Sequence, residues 1–237
     1  MLKKISVVIP FFNEENEIKE LIEDIINVEK KTTIYGEYIF ICDASTDNSL
    51  FIVNSILKKN IELKKKCNVI LNYSNLGWPK SLIKGIKLCN HDFFIFLPGD
   101  NEVPISTISH KLKFDYDILI FERYNMLSRP IFRIILSYLY RYIVCLSFLI
   151  KPIDLNGVFL MKTSKFKNLN LNSSSFFISA EIILKSIYSK YSYNNIKAIK
   201  LKKKNFYQSS SLSLKQFKIV TLEFLKCFKE LIIHGKV

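Results

Sequence analysis

The 237-residue chain has no G-x-G-x-x-G after its first apolar run and no G-x-x-x-x-G-K-S/T. A dinucleotide fold and a P-loop are therefore unsupported. Its five cysteines (Cys42, Cys67, Cys89, Cys145, Cys227) are odd in number, scattered, and form no C-x-x-C. That argues against a disulfide framework or a zinc site and fits reduced thiols in a cytosolic compartment. The apolar run behind Met1-Leu2-Lys3-Lys4 stops at Pro10, too short for the core of an export signal, so none is expected. Acidic residues are few beside basic ones, 21 against 35, which leaves a formal charge of +14. Such a balance suggests an anionic partner: nucleic acid, an anionic membrane or a phosphorylated substrate. The basic residues are not interleaved with aromatic platforms and accompany no nucleic-acid motif, so no nucleic-acid partner is expected.

What is present is strand–helix alternation. Ile5–Ile9, Tyr38–Cys42, Asn68–Leu71 and Phe93–Leu97 are short apolar runs, the pattern of strands buried in a mostly parallel sheet. Between them apolar residues recur at helical spacing, as at Ile18, Leu21, Ile22, Ile25 and Ile26. Pro10 is expected to end the first strand, with Asn13 capping the next helix and Glu14, Glu15 and Glu17 in its positive first turn. Pro79 suits the first position of a helix after the turn Asn75–Trp78. The fold class is α/β, a Rossmann-like, mostly parallel sheet flanked by helices.

Polar clusters follow several of these strands: Asn13-Glu14, Asp43 to Asp47, and Asp100 with Glu102. In open α/β sheets, ligands bind at the carboxyl ends of strands. The pair Asp100-x-Glu102, after the turn at Pro98-Gly99, is placed to hold a hard divalent cation against a diphosphate. An acidic turn that uses Asp and Asn only for turn chemistry is the alternative.

Together these residues resemble family 2 glycosyltransferases of GT-A fold. Val7-Val8-Ile9-Pro10-Phe11-Phe12-Asn13-Glu14-Glu15 looks like the family's opening, and Asp43-Ala44-Ser45-Thr46-Asp47 like its D-G-S-x-D segment. Asn75-x-Gly77 with Ser81 and Gly85 resembles N-x-G-x-x-x-A-x-x-x-G. Pro98-Gly99-Asp100-Asn101-Glu102 sits where the family has D-x-D-x-Q. Asp154 to Gly157 and Glu181 look like later landmarks of the polyprenyl-phosphate branch, the relatives of dolichyl-phosphate mannose synthase. Two departures stand out: Pro98 replaces the first Asp of D-x-D, and no R-x-x-G-x-S loop is legible near 203–210.

The resemblance implies an inverting, metal-dependent glycosyltransferase with a nucleotide-sugar donor. Pro10, Phe12, Glu14 and Asp43 would hold base and ribose, with Asn75, Gly77 and Lys80 also on the donor side. Asp100 and Glu102 would hold Mg²⁺ or Mn²⁺. The acceptor would be a polyprenyl phosphate at the cytoplasmic membrane face, gathered by Arg129, Arg133 or the lysines at 202–204. The alternatives are transfer to a sugar hydroxyl in lipopolysaccharide, capsule or other glycan assembly, and a nucleotide-binding scaffold without catalysis. Arg133 and Glu181 join Asp100 as candidate catalytic residues. A hydroxyl acceptor needs a general base whereas an ionised phosphate does not, and Glu181 as a helix-surface carboxylate is the plain alternative.

The second half carries amphipathic stretches. Ile131–Ile150 is about the length of a membrane span but has Arg141 at its middle. A span, a core helix and an interfacial helix are all compatible with it, and the resemblance implies the last. Residues 212–233 read as an amphipathic helix with apolar positions 217, 220, 224, 228 and 231, facing membrane, partner or the protein's own core. The lysines at 197, 200 and 202–204 are a solvated face or an attraction to anionic lipid. The expected organisation is a GT-A domain over 1–205, with a donor half to 115 and an acceptor half from 116, then a C-terminal helix over 206–237. The expected place is cytoplasmic, peripheral on the inner face of the cytoplasmic membrane.

Overall fold

The computed structural model describes residues 4–32, 34–125, 130–201 and 214–235, with the side chains of residues 125, 133, 200 and 214 left aside. In chain order the elements are β1 (Ile5–Phe11), α1 (Ile18–Glu29), β2 (Tyr35–Cys42), α2 (Ser49–Lys59), α3 (Ile61–Lys65), β3 (Cys67–Leu71), α4 (Trp78–Lys87) and β4 (Phe93–Phe96). There follow β5 (Ile118–Asn125), α5 (Ile131–Ser147), β6 (Val158–Lys162), α6 (Thr163–Lys167), α7 (Ile178–Tyr188), β7 (Tyr193–Lys200) and α8 (Leu214–Phe228). The strands form one sheet of order β3-β2-β1-β4-β6-β5-β7. Only β6 runs against its neighbours; β1, β2, β3 and β4 are parallel, as are β5 and β7. Both expected halves thus contribute strands to a single sheet. Every residue of β1 and of β4 is buried, which is why these strands read as unbroken apolar runs.

Pro10 does not end β1. The ladder continues through Pro10 opposite Ile41 to Phe11 opposite Cys42, and the Pro10 carbonyl accepts the Gly99 N–H at 3.2 Å. Nor does Asn13 cap α1. It takes a left-handed φ of 54°, which Asn tolerates, and α1 begins at Ile18 with Glu17 at its N-cap. The reason is local: the Glu14 and Glu15 amides donate to Ser49 Oγ (2.7 Å) and Asp47 Oδ2 (3.0 Å). Residues 13–15 are therefore docked on the loop after β2 instead of forming a helical turn.

α5 stops at Ser147, short of Ile150. Leu149 is left-handed at φ 52°, and the Ile150 N–H returns to the Cys145 carbonyl at 3.0 Å, a closure typical of helix C-termini. Among the described residues no helix is long and apolar enough to cross a membrane. α8 packs on the core through Phe224 and Phe228 against Phe148, with ring centroids 5.8 and 5.7 Å apart. Of the expected apolar positions, Val220, Phe224, Phe228 and Leu231 face the core as read, while Phe217 lies outside and Glu223 is buried instead.

Candidate active site

The carboxyl ends of β1, β2 and β4 meet at one edge of the sheet, and backbone bonds tie them. The Asp43 N–H donates to the Phe11 carbonyl at 2.9 Å, and Gly99 is held to Pro10 as described. A Cβ on Gly99 would lie 2.4 Å from Phe11 Cβ, so only glycine lets this turn close on β1. Asp100 follows directly. Its Oδ1 accepts the Glu102 N–H at 3.0 Å, and Asn101 between them is left-handed at φ 52°. The turn chemistry expected of Asp and Asn is therefore present, and the same turn brings two carboxylate residues to the strand edge.

Asp43 lies inside this edge. Its Oδ1 accepts from Asn72 Nδ2 (2.8 Å) and Leu76 N (2.9 Å), and its Oδ2 from Gly77 N (2.8 Å). Sequence reasoning placed Asp43 on base or ribose. It is 3% exposed, and its three internal donors make it the anchor of the 72–77 loop at this edge. Gly77, at φ 83° and ψ 154°, occupies backbone space that is essentially glycine's alone. Asn75 Oδ1 also accepts the Gly77 N–H, at 3.0 Å. Ser81, where the resembled motif has Ala, accepts a bond from Asn72 Nδ2 at 2.9 Å. Phe12, Asn75 and Lys80 are exposed at this edge and Glu14 is half-buried. Pro10, Phe12, Glu14, Asn75, Gly77, Lys80 and Asp100 thus lie at or just after the ends of three strands that the sheet brings together.

A second polar centre lies in the second half of the chain. Asp154, 2% exposed, receives a two-pronged contact from Arg123: Nε to Oδ2 at 2.7 Å and a terminal nitrogen to Oδ1 at 2.6 Å. Arg141 of α5 reaches Oδ2 at 3.3 Å. Burial by itself would raise the Asp154 carboxyl; the Arg123 guanidinium outweighs it and holds the group below the ordinary carboxylate range. Burial would likewise lower Arg123, and Asp154 with Glu102 beyond it keeps it charged. Arg123 was not singled out from sequence. A lone cation closing an apolar strand was the available signal.

Glu181 is neither a surface carboxylate nor open to a substrate. It is 1% exposed, accepts the Asn172 and Ser173 N–H groups at 3.0 and 2.8 Å, and pairs with Lys185 at 3.0 Å. A carboxylate so buried and so engaged organises a loop. Arg129, the Arg133 side chain and the lysines at 202–204 lie outside the described residues.

Asp100 and Glu102 are hard oxygen donors, which suits Mg²⁺ or Mn²⁺. Between them the Asn101 side-chain amide is buried without a hydrogen-bond partner, an unusual cost beside a site that needs polar ligands. Among the described residues no three His, Cys, Asp or Glu side chains converge as a ready-made cage. That fits a cation held by one or two carboxylates and completed by substrate phosphates.

Residues 6–124, half of the chain, match the family model described as Glycosyl transferase family 2. The chain belongs to this family. Within it, the chain is 33% identical over 103 residues to the undecaprenyl-phosphate 4-deoxy-4-formamido-L-arabinose transferase of Proteus mirabilis, a match covering 44% of the chain and 31% of that protein. It is 32% identical over 104 residues to the poly(ribitol-phosphate) beta-glucosyltransferase of Bacillus spizizenii, covering 42% and 15%. The matched segment thus spans a third or less of these family 2 relatives. Glucosyl-3-phosphoglycerate synthase from Mycobacterium tuberculosis, solved with Mn²⁺, UDP and glucosyl-3-phosphoglycerate, superposes with a TM-score of 0.62. It covers 99% of this chain and 81% of the synthase at 13% identity. A mannosyltransferase from Pyrobaculum calidifontis, solved with GDP-Man and Mn²⁺, gives 0.65 over 97% and 65% at 10% identity. At such identities the likeness is one of fold, the GT-A fold of the family.

Proposed function

We propose that the chain is an inverting glycosyltransferase that moves a sugar from a nucleotide-sugar donor to a polyprenyl phosphate at the cytoplasmic face of a membrane. The observation that carries this reading is the joined edge. Gly99 against β1, the Asp43-held 72–77 loop and the Asp100-Glu102 turn meet at one strand edge inside the segment that matches family 2, and ligands of open α/β sheets bind at such edges. Pro10, Phe12 and Glu14 line the base and ribose side. Asp43 positions the 72–77 loop, and Lys80 supplies positive charge at its helix. Asp100 and Glu102 would hold Mg²⁺ or Mn²⁺, which as a Lewis acid stabilises the departing nucleoside diphosphate.

The acceptor argument rests on how Glu181 is engaged. With Glu181 engaged by Asn172, Ser173 and Lys185, an acceptor that arrives ionised fits better than a hydroxyl needing deprotonation. The Proteus mirabilis relative is named for undecaprenyl phosphate, in line with this. The Bacillus spizizenii relative is named for a poly(ribitol-phosphate), which favours the second reading, transfer to a hydroxyl of a glycan polymer.

The lipid side rests on α5. Ile131, Phe132, Ile135, Leu139, Tyr142 and Leu146 form one exposed apolar stripe along it, the wrong face for water and the right one for a bilayer interface. Lys215, Lys218 and Lys226 are exposed on α8 and suit anionic headgroups.

A panel of nucleotide-sugars, incubated with Mn²⁺ and either undecaprenyl phosphate or a glycan acceptor, tests the proposal. Label is expected in the lipid. Label only in the glycan moves the function to the second reading, and none in either refutes transfer.

A further inference from the structure

Residues 170–177, Asn-Leu-Asn-Ser-Ser-Ser-Phe-Phe, lie before α7 and contain no regular element. Their amides must be satisfied by something else, and two buried carboxylates do it. Glu181 holds Asn172 and Ser173 as described. Glu223, reaching in from α8, accepts the Ser174 amide at 2.7 Å and hydroxyl at 3.0 Å, the Ser175 amide at 3.3 Å, and the Ser175 hydroxyl. Lys185 donates to the Asn170 carbonyl and pairs with Glu230 at 2.9 Å. The loop is thus fixed from both sides, by α7 and by the C-terminal segment that carries Glu223 and Glu230.

Its two phenylalanines diverge. Phe177 turns inward against Phe224, at 6.3 Å. Phe176 turns outward and stacks on Trp78, with ring centroids 6.1 Å apart and planes 24° apart, yet stays 46% exposed. Trp78 opens α4 directly after Gly77, the end of the loop that Asp43 holds, and meets Phe96 edge to face with centroids 5.7 Å apart, at the end of the strand that leads into Asp100. The stack therefore bridges donor-side and acceptor-side loops at the mouth of the site, and one face of Phe176 remains open. A half-exposed aromatic ring backed by a second ring is a platform for apolar C–H surface.

Resting on the glycosyltransferase reading, we propose that Phe176, backed by Trp78, is the aromatic wall of the acceptor subsite. It takes the C–H surface next to the accepting oxygen, and Glu223 is its positioning residue. The C–H surface is an isoprene unit in a polyprenyl phosphate or the ring face of a glycan sugar. Charge-assisted bonds from a buried carboxylate are the strong kind. Their loss in Glu223→Gln is expected to weaken the hold on this loop arrangement by ~10–100-fold.

Trp78 is the chain's sole tryptophan, so its emission reports the wall directly and without turnover. In Glu223→Gln the emission should move to the red, acrylamide quenching should rise, and the amides of 172–175 should exchange faster. Added undecaprenyl phosphate or glycan acceptor should protect Trp78 from acrylamide in the wild type, the protecting compound identifying the source of the C–H surface. Phe176→Ala should abolish that protection and Phe176→Tyr restore it; residue 176 is exposed enough for both variants to fold. In turnover, acceptor KM should rise ~10-fold or more in Glu223→Gln while donor KM holds. Unchanged Trp78 emission and amide exchange in Glu223→Gln would overturn the positioning role. Protection by neither acceptor, or KM values that rise together, would overturn the subsite. Because protection needs no transfer, a chain that transfers nothing but whose Trp78 is protected refutes the enzymatic reading and leaves the wall standing.

Discussion

Replacing Asp154 by asparagine keeps the size of the side chain and removes the charge on which two guanidinium groups converge. Arg123 is 8% exposed at its side chain and donates two bonds, while Arg141 is 18% exposed and donates one longer contact. Arg141 can turn toward water; Arg123 cannot. Removing one partner of a buried pair costs about 3–5 kcal/mol, because the other charge stays buried without compensation. For a chain of this size about 2–4 °C of melting temperature goes with each kcal/mol, so Asp154→Asn should melt roughly 6–20 °C below the wild type. The pH dependence has a definite sign. The Asp154 carboxyl is held below its ordinary value in the folded chain, so its contribution is fully present above the unfolded carboxyl pKa of about 3.9 and is lost as pH falls through the lower folded value. Melts by circular dichroism from pH 7 down to pH 3 should show a constant gap between the two proteins to about pH 4 and a closing gap below it. A gap under about 1 kcal/mol at neutral pH, the size of an exposed pair, would refute the reasoning. So would a gap that widens in acid.

Gly77→Ala puts a side chain at φ 83° and ψ 154° and should cost about 1–3 kcal/mol, with donor KM rising because the Asp43-held loop must shift. Calorimetry and donor titration check both. Gly99→Ala brings a Cβ to 2.4 Å from Phe11 Cβ and 2.9 Å from the Pro10 carbonyl. It should destabilise by about 1–3 kcal/mol as an overpacked contact and weaken metal-linked donor binding, read by isothermal titration. Wild-type protein should float with anionic vesicles at low salt and less as salt rises, since surface attraction is screened. Leu146→Glu, on the exposed stripe of α5, should reduce flotation, and unchanged flotation would remove α5 from the membrane surface.

The donor half was readable because its strands are buried on both faces. β1, β2 and β4 appear as apolar runs with polar loops behind them, and the family motifs fall on those loops. The acceptor half was less so. β7 is an edge strand whose solvated face carries asparagine and lysine, so it reads as a basic run; its pairing with β5 buries only a few residues such as Ala198 and Ile199. Asp154 stood out as a landmark, but its partner Arg123 lies 31 residues away, and only the approach of β5 and β6 unites them. Glu181 and Lys185 are four apart on a helix, a spacing that signals an ion pair. What sequence could not supply was that every residue from Ile178 to Ser186 is buried, which turns the pair inward. Pro10 and Asn13 were misplaced because a strand edge that accepts bonds through carbonyls tolerates proline, and because Ser49 and Asp47 compete for the amides of a first helical turn.

The most direct test is metal-dependent cleavage of a nucleotide-sugar by the wild type and by Asp100→Asn, measured as released nucleotide with Mn²⁺, with Mg²⁺ and with excess chelator. Wild-type protein should release nucleotide with either cation and stop in chelator. Asp100→Asn should lose at least on the order of 100-fold of the rate, the scale of charge stabilisation a bound cation supplies, while its circular dichroism spectrum and melt stay close to wild type. Full activity in excess chelator, or an Asp100→Asn rate equal to wild type, would contradict the assignment of the Asp100-Glu102 turn as the centre of the site.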